Sequence, residues 1–347
     1  MIACLVVLAA ASTAVSQAPP APRAKVREYV RSQMGFTPSD WNALVRGRAV
    51  GRIIETGQGQ DVNVFGGVRI AAPPARMIEQ IRGIDRLERA LGAVQVARFS
   101  DPPRLEDLGS LELKEDDFDE LRDCRVGDCE LQLPARTVER LRDVDWQRPD
   151  ARDRAAGIVR ELMLERLRAY QAGGLAALEP YADRDPPTPM APEFLRIVVP
   201  SDVPFPVPAL FDYVRRYPQA LPAGAEDLFY WNTGEFGVKP TTRVNHVTIY
   251  QPDDAGLRAQ GLRAVVVTRQ IFSDHYFSAT MEWRTIVEDP EGGEGFFLLY
   301  TTRSRVTGLR GIIGALLRPS VKGRARAGME RYLTRTKAAV EGRPQPR

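Results

Sequence analysis

Asp61-Val62-Asn63-Val64-Phe65-Gly66-Gly67-Val68-Arg69-Ile70, running straight into Ala71-Ala72-Pro73-Pro74-Ala75-Arg76-Met77, is the stretch that decides the fold. Side chains alternate across a strand, so Val62, Val64, Gly66, Val68 and Ile70 share one face and Asn63, Phe65, Gly67 and Arg69 the other. The first face is expected to be the buried one. Gly57-Gln58-Gly59 separates this strand from a run at residues 49–56 and predicts a hairpin. Beyond the prolines, Ile78, Ile81, Ile84 and Leu87 recur at helical spacing, and residues 94–99 read as a short strand.

The second half of the chain offers strand candidates at 243–251, 262–272, 275–287 and 296–303, then one long helix from about residue 319 to 340. This order, strand, Ala-Pro-Pro, helix, short helix and strand, followed later by consecutive strands and a terminal helix, resembles the START-like (SRPBCC, helix-grip) superfamily over residues 60–113 and 225–342. The resemblance implies an α+β fold: a strongly curved antiparallel sheet gripping the C-terminal helix, with an apolar pocket between them. Residues 114–223 depart from it. They hold a long helix at 150–171, with Ile158, Leu162, Leu164 and Leu167, closed by Gly173-Gly174. Prolines then come too often for sheet interiors, so this stretch is expected to be a helical insertion, either a lid or a subdomain. Thr37-Pro38-Ser39-Asp40 is a capping signal within a helical arm. The expected organisation is a signal peptide at 1–18, linker and arm at 19–46, the first part of the sheet domain at 47–113, the insertion at 114–223, and the second part with its helix at 224–347.

Composition places the chain among folded proteins, with 44% hydrophobic and 27% charged residues. Residues 2–15 form an apolar or small-residue run, too short to span a bilayer and of signal-peptide length. A periplasmic or secreted protein is therefore expected. In an oxidising compartment Cys124 and Cys129, with Gly127 between them, are expected to close a small disulfide loop. Charge is uneven: residues 303–347 hold twelve Lys and Arg against two acids, so the remainder carries about −7 of the total +3. Residues 115–130 hold eight acids but lack the calcium-loop pattern.

Motifs of the common enzyme classes are missing from the sequence. It has no Gly-x-Ser-x-Gly, no His-Glu-x-x-His and no phosphate loop, and no cofactor is expected. Ser273-Asp274-His275 names the side chains of a hydrolase triad, but neighbours in a strand point to opposite faces. With only His246 and His275 as histidines, a metal site has no evident third ligand.

Alternation in the strands does suggest a pocket lining. Val244, His246, Thr248 and Tyr250 share a face, as do His275, Phe277, Ala279, Met281 and Trp283; His246, Tyr250, Gln270 and His275 could supply its polar groups. The plainer reading of the same residues is core packing. On the terminal helix, Lys322, Arg324, Arg331, Arg335 and Lys337, with Tyr332 near the interface, could lie on anionic headgroups; nucleic acid is not expected, since no stacking platform accompanies them. The leading expectation is an exported, non-enzymatic binding protein for an apolar, lipid-like ligand. The alternatives are an envelope interaction protein with a filled core and, less favoured, a START-like hydrolase or cyclase using His246 or His275, because fold does not dictate function.

Overall fold

The computed structural model describes residues 21–235, 239–309 and 311–345, so the segment expected to be a signal peptide lies outside the described residues. Strands β1 (Val50–Ile53), β2 (Asp61–Ile70), β3 (Gln95–Arg98), β4 (Ala225–Glu235), β5 (Pro240–Tyr250), β6 (Leu262–Ser273), β7 (Phe277–Glu288) and β8 (Phe296–Val306) form one open eight-stranded sheet. Its order is β1-β2-β8-β7-β6-β5-β4-β3, antiparallel at every pairing. The helices are α1 (Pro22–Ser32), α2 (Pro38–Val45), α3 (Pro74–Arg82), α4 (Ile84–Leu91), α5 (Glu115–Asp123), α6 (Ala135–Arg142), α7 (Ala151–Gly173), α8 (Met190–Leu195), α9 (Pro208–Arg216), α10 (Ala255–Ala259) and α11 (Gly311–Glu341). The molecule is therefore α+β, with the curved sheet and long C-terminal helix that the sequence led us to expect. Helix α11 begins before Pro319 and runs through it.

The Thr37–Asp40 capping box that opens α2 is formed in both directions. Gly83 separates α3 from α4, and their residues Met77, Ile78, Ile81, Ile84 and Leu87 face the sheet. With them, Val64, Val68, Val247, Ile249, Val266, Ile286 and Leu298 of the sheet and Met329, Leu333 and Val340 of α11 make one apolar cluster. Gly66 lets α11 come this close. A Cβ there would lie 2.6 Å from Met329 and 2.7 Å from Leu333.

Strand β2 is buried on both faces, not on one as its alternation suggests. The second face carries Phe65, Trp231, Val267, Phe272, Met281, Trp283 and Phe297, packed against Val30 of α1, Leu162, Met163 and Tyr170 of α7, and Leu210 of α9. Segment 114–223 thus forms a layer sharing a continuous core with the sheet. Buried ion pairs join the two as well: Arg303 of β8 gives Asp202 two hydrogen bonds of 2.5 and 2.6 Å, and Arg305 reaches Glu193 and Asp61. The arm is tied down by Asp289, which accepts from Arg23 and Arg69.

Candidate functional site

The surface that faces α3, α4 and α11 is divided along each of five strands, and the boundary steps by two residues from β5 to β6 and again from β6 to β7, so that Val247 lies opposite Thr268 and Val266 opposite Arg284. Toward one end the helix-facing residues are polar: Tyr230 and Asn232 on β4, Arg243 and Asn245 on β5, Thr268 and Gln270 on β6, Thr280, Glu282 and Arg284 on β7, Tyr300 and Ser304 on β8. Toward the other they become Leu228, Val247 and Ile249, Ala264 and Val266, Ile286, and Phe296 and Leu298. Pairing places these groups side by side: Arg243 opposite Asn232, Arg284 opposite Tyr300, Thr268 opposite Glu282.

Two carboxylic and two guanidinium side chains meet in the polar half, each less than a tenth exposed: Glu88 of α4, Arg243, Glu282 and Arg284. Arg284 donates to Thr268 Oγ1 at 2.8 Å, Glu282 at 2.6 Å, Tyr300 OH at 3.2 Å and Tyr332 OH of α11 at 3.1 Å. Arg243 lies 3.9 Å from Glu282. Glu88 accepts from Asn232 at 2.8 Å and from Tyr230 at 3.4 Å, and Asn232 in turn accepts from Asn245 at 3.2 Å. Burial pushes the Glu88 carboxyl up, against the lowering fields of Arg243 and Arg284. Burial likewise raises Tyr230 and Tyr300, and lifts Tyr332 to about 12, so these hydroxyls keep their protons at neutral pH. Gln270 Oε1 on this face and Thr336 Oγ1 of α11 are buried with no hydrogen-bond partner, which is uncommon for buried side-chain polar atoms.

The residues expected to line a pocket are spread over several places. Gln270 and Phe277 do lie on the helix-facing side. Phe277 reaches it because the β7–β8 register shifts between Phe277 and Ala279. His246, Met281, Trp283 and Tyr250 point to the opposite face, against the insertion. There Nδ1 of His246 lies 2.9 Å from Tyr170 OH and 2.8 Å from Arg269, and its Nε2 lies 2.9 Å from Asp227. Phe229 stacks on its ring, and Tyr217 sits 4.7 Å away. Burial, reinforced by Arg269, lowers this imidazole to about 4 despite Asp227. Neutral His246 therefore donates through Nε2–H to Asp227 and accepts at Nδ1, joining β5 to α7. The residues that make the polar half, Glu88, Arg243, Glu282, Arg284 and Tyr300, were missed by sequence reading. Their only signal was several charged residues inside otherwise apolar strands.

His275 lies in the turn before β7, bonded to Glu120 of α5 at 3.0 Å and beside Asp274 at 3.0 Å. Ser273 Oγ donates to the His275 carbonyl at 2.8 Å, so the three side chains are not arranged as a catalytic relay. Cys124 and Cys129 are joined in a disulfide. No helix among the described residues is long and apolar enough to cross a membrane. The basic residues of α11 divide too. Lys322 pairs with Glu55, Tyr332 bonds Arg284, Arg335 donates to the Leu91 carbonyl, and Lys337 bonds the Arg69 carbonyl and Glu341. Arg324 and Arg331 are exposed. A surface depression of about 530 Å³ lies at a different place, at the sheet end near α10, lined by Arg82, Glu226, Gln251, Arg258 and Arg263. Its Arg82 is already bonded to Glu226 and Gln251, and we do not place the site there.

Compared with protein-family models, with curated proteins and with solved structures, the chain matches none of them.

Proposed function

We propose that this is an exported, non-enzymatic, START-like binding protein for a lipid-like ligand, held between the sheet and α11. The observation that supports this reading is the two-part character of the sheet face beneath α11. An apolar stretch formed by Val247, Val266, Ile286 and Leu298 continues into the buried cluster of Glu88, Arg243, Glu282 and Arg284. A ligand with a hydrocarbon part and one polar end matches that division. The cluster would recognise the polar end through hydroxyl donors and guanidinium groups. Burying charge solely for stability is a poor use of a core, because apolar packing of similar volume serves as well or better. Export is supported by the apolar run at 2–15 and is compatible with the disulfide.

A second reading, an envelope interaction protein with a filled core, is favoured by one specific feature. Arg284 already has Thr268, Glu282, Tyr300 and Tyr332 as partners. Native mass spectrometry of the full chain separates the two. A hydrophobic molecule that co-purifies and is lost on denaturation, or uptake from a defined mixture of fatty acids and phospholipids, supports the carrier. A clean apo mass with no uptake overturns it and favours the second reading. Cross-linking of the intact protein in membrane extract is the matching test for that reading, since deleting residues 114–223 would uncover the apolar face behind Trp231 and Trp283.

A further inference from the structure

The first turns of α11 carry an apolar tip that nothing in the ligand reading uses. Leu316 is 77% exposed and Leu317 50%, the former the most exposed large apolar side chain among the described residues. At helical spacing Leu316, Ser320, Gly323, Arg324, Ala327 and Arg331 form a stripe on the side of α11 opposite Met329, Leu333 and Val340, which face the sheet. No Asp or Glu occurs between Gly295 and Met329, while Arg318, Lys322, Arg324 and Arg326 follow the leucines. Nearby acids are already engaged. Glu55 is paired with Lys322, and Glu330 accepts from the Gly51 amide at 3.1 Å and lies 3.8 Å from Arg326. The outward cations of this stripe are then Arg324 and Arg331, while Arg326 lies beside Gly51 of β1.

We infer that this tip and stripe form a docking surface for an anionic lipid bilayer, with Leu316 and Leu317 entering the headgroup boundary and the arginines lying over lipid phosphates. Among the described residues the tip exposes Leu316 and Leu317, far too little apolar area for a stable protein interface. They suffice for weak, reversible membrane contact when a basic patch adds a second attraction. The surface differs from the one expected from sequence, because Tyr332, Arg335 and Lys337 are committed inward. The inference does not depend on the ligand reading.

The test is co-sedimentation of the full chain with vesicles of phosphatidylcholine alone and of equal parts phosphatidylcholine and phosphatidylglycerol. Partitioning onto the mixed vesicles only, weakened by salt, is expected. Leu316→Ser with Leu317→Ser, and separately Arg324→Gln with Arg331→Gln, are each expected to lower it by about tenfold. All four side chains are exposed, so thermal melting serves as the control for folding. Equal partitioning onto both vesicle types, none onto either, or wild-type partitioning by the leucine variant overturns the inference. Ligand content in native mass spectrometry is a separate readout, and the leucine variant is expected to leave it unchanged.

Discussion

The Arg284 guanidinium lies 4.5 Å from the ring centroid of Tyr300, its direct partner across β7 and β8, and donates to Tyr332 on α11. One side chain therefore connects the sheet to the helix that grips it, through a cation–π contact and charge-assisted hydrogen bonds. Arg284→Met leaves Glu282 buried without its closest cation, and a loss of about 3–5 kcal/mol is expected. Tyr332→Phe removes one hydrogen bond and is expected to cost about 1 kcal/mol. Urea unfolding of both variants measures the difference. Losses of equal size would refute a central role for Arg284.

His246 makes the molecule sensitive to mild acid. Its native pKa of about 4 lies below the ordinary 6.5, so between these values the unfolded chain binds more protons. Stability is complete above pH 6.5 and falls as pH drops toward 4. The shift is worth about 3 kcal/mol. Asp227, held below its usual value by His246 against desolvation, loses its contribution only at lower pH. The difference in unfolding free energy between wild type and His246→Gln, measured from pH 7 to 4, is expected to shrink across that window. A constant difference would show that His246 is not the group responsible.

Gly66→Val sets a branched side chain against Met329 and Leu333. Overpacking of this kind is expected to cost about 1–3 kcal/mol and to raise amide exchange in α11 before it does so in α7. Uniform exchange in both helices would mean that α11 does not rely on this contact.

Asp202→Asn leaves Arg303 buried opposite a neutral amide. About 3–5 kcal/mol is expected to be lost, with faster proteolysis of the insertion while it detaches from β8. A melting temperature within a degree or two of wild type, roughly within the noise of exposed substitutions, would show that the pair is not a principal tie.

The loop closed by Cys124 and Cys129 is short, so its entropic contribution is expected near 2 kcal/mol. Reduction, or the double Cys→Ser variant, is expected to lower the melting temperature without unfolding the chain at room temperature. Complete loss of structure would assign the disulfide a larger part than loop closure gives it.

Much of the architecture was readable because periodicity is a local property. The β1–β2 hairpin, α3 and α4, and β5 to β8 each keep a pattern over enough residues to be recognised. Strand β4 was not recognised. In Leu228-Phe229-Tyr230-Trp231-Asn232 large side chains fall on both parities, so alternation carries no contrast of polarity. The same lack of contrast left the residues expected to line a pocket divided between the two faces of the sheet. His246 and Trp283 look like a lining until one knows which face meets α11, and in a strand buried on both sides either parity can be the inner one.

Taken alone, the sequence determined the fold class, the order of most strands and helices, the helical character of 114–223 and the basic C-terminal end, since each follows from spacing along the chain. Only the tertiary structure decided that the insertion covers the second face of the sheet, that Glu88 from α4 meets Arg243, Glu282 and Arg284, and that Tyr332 turns inward while Leu316 stays in solvent. Those outcomes depend on register, on bulges such as the one at Phe277, and on which surfaces are brought together by residues more than a hundred positions apart. A one-residue shift exchanges the faces of a strand, and no local pattern records it.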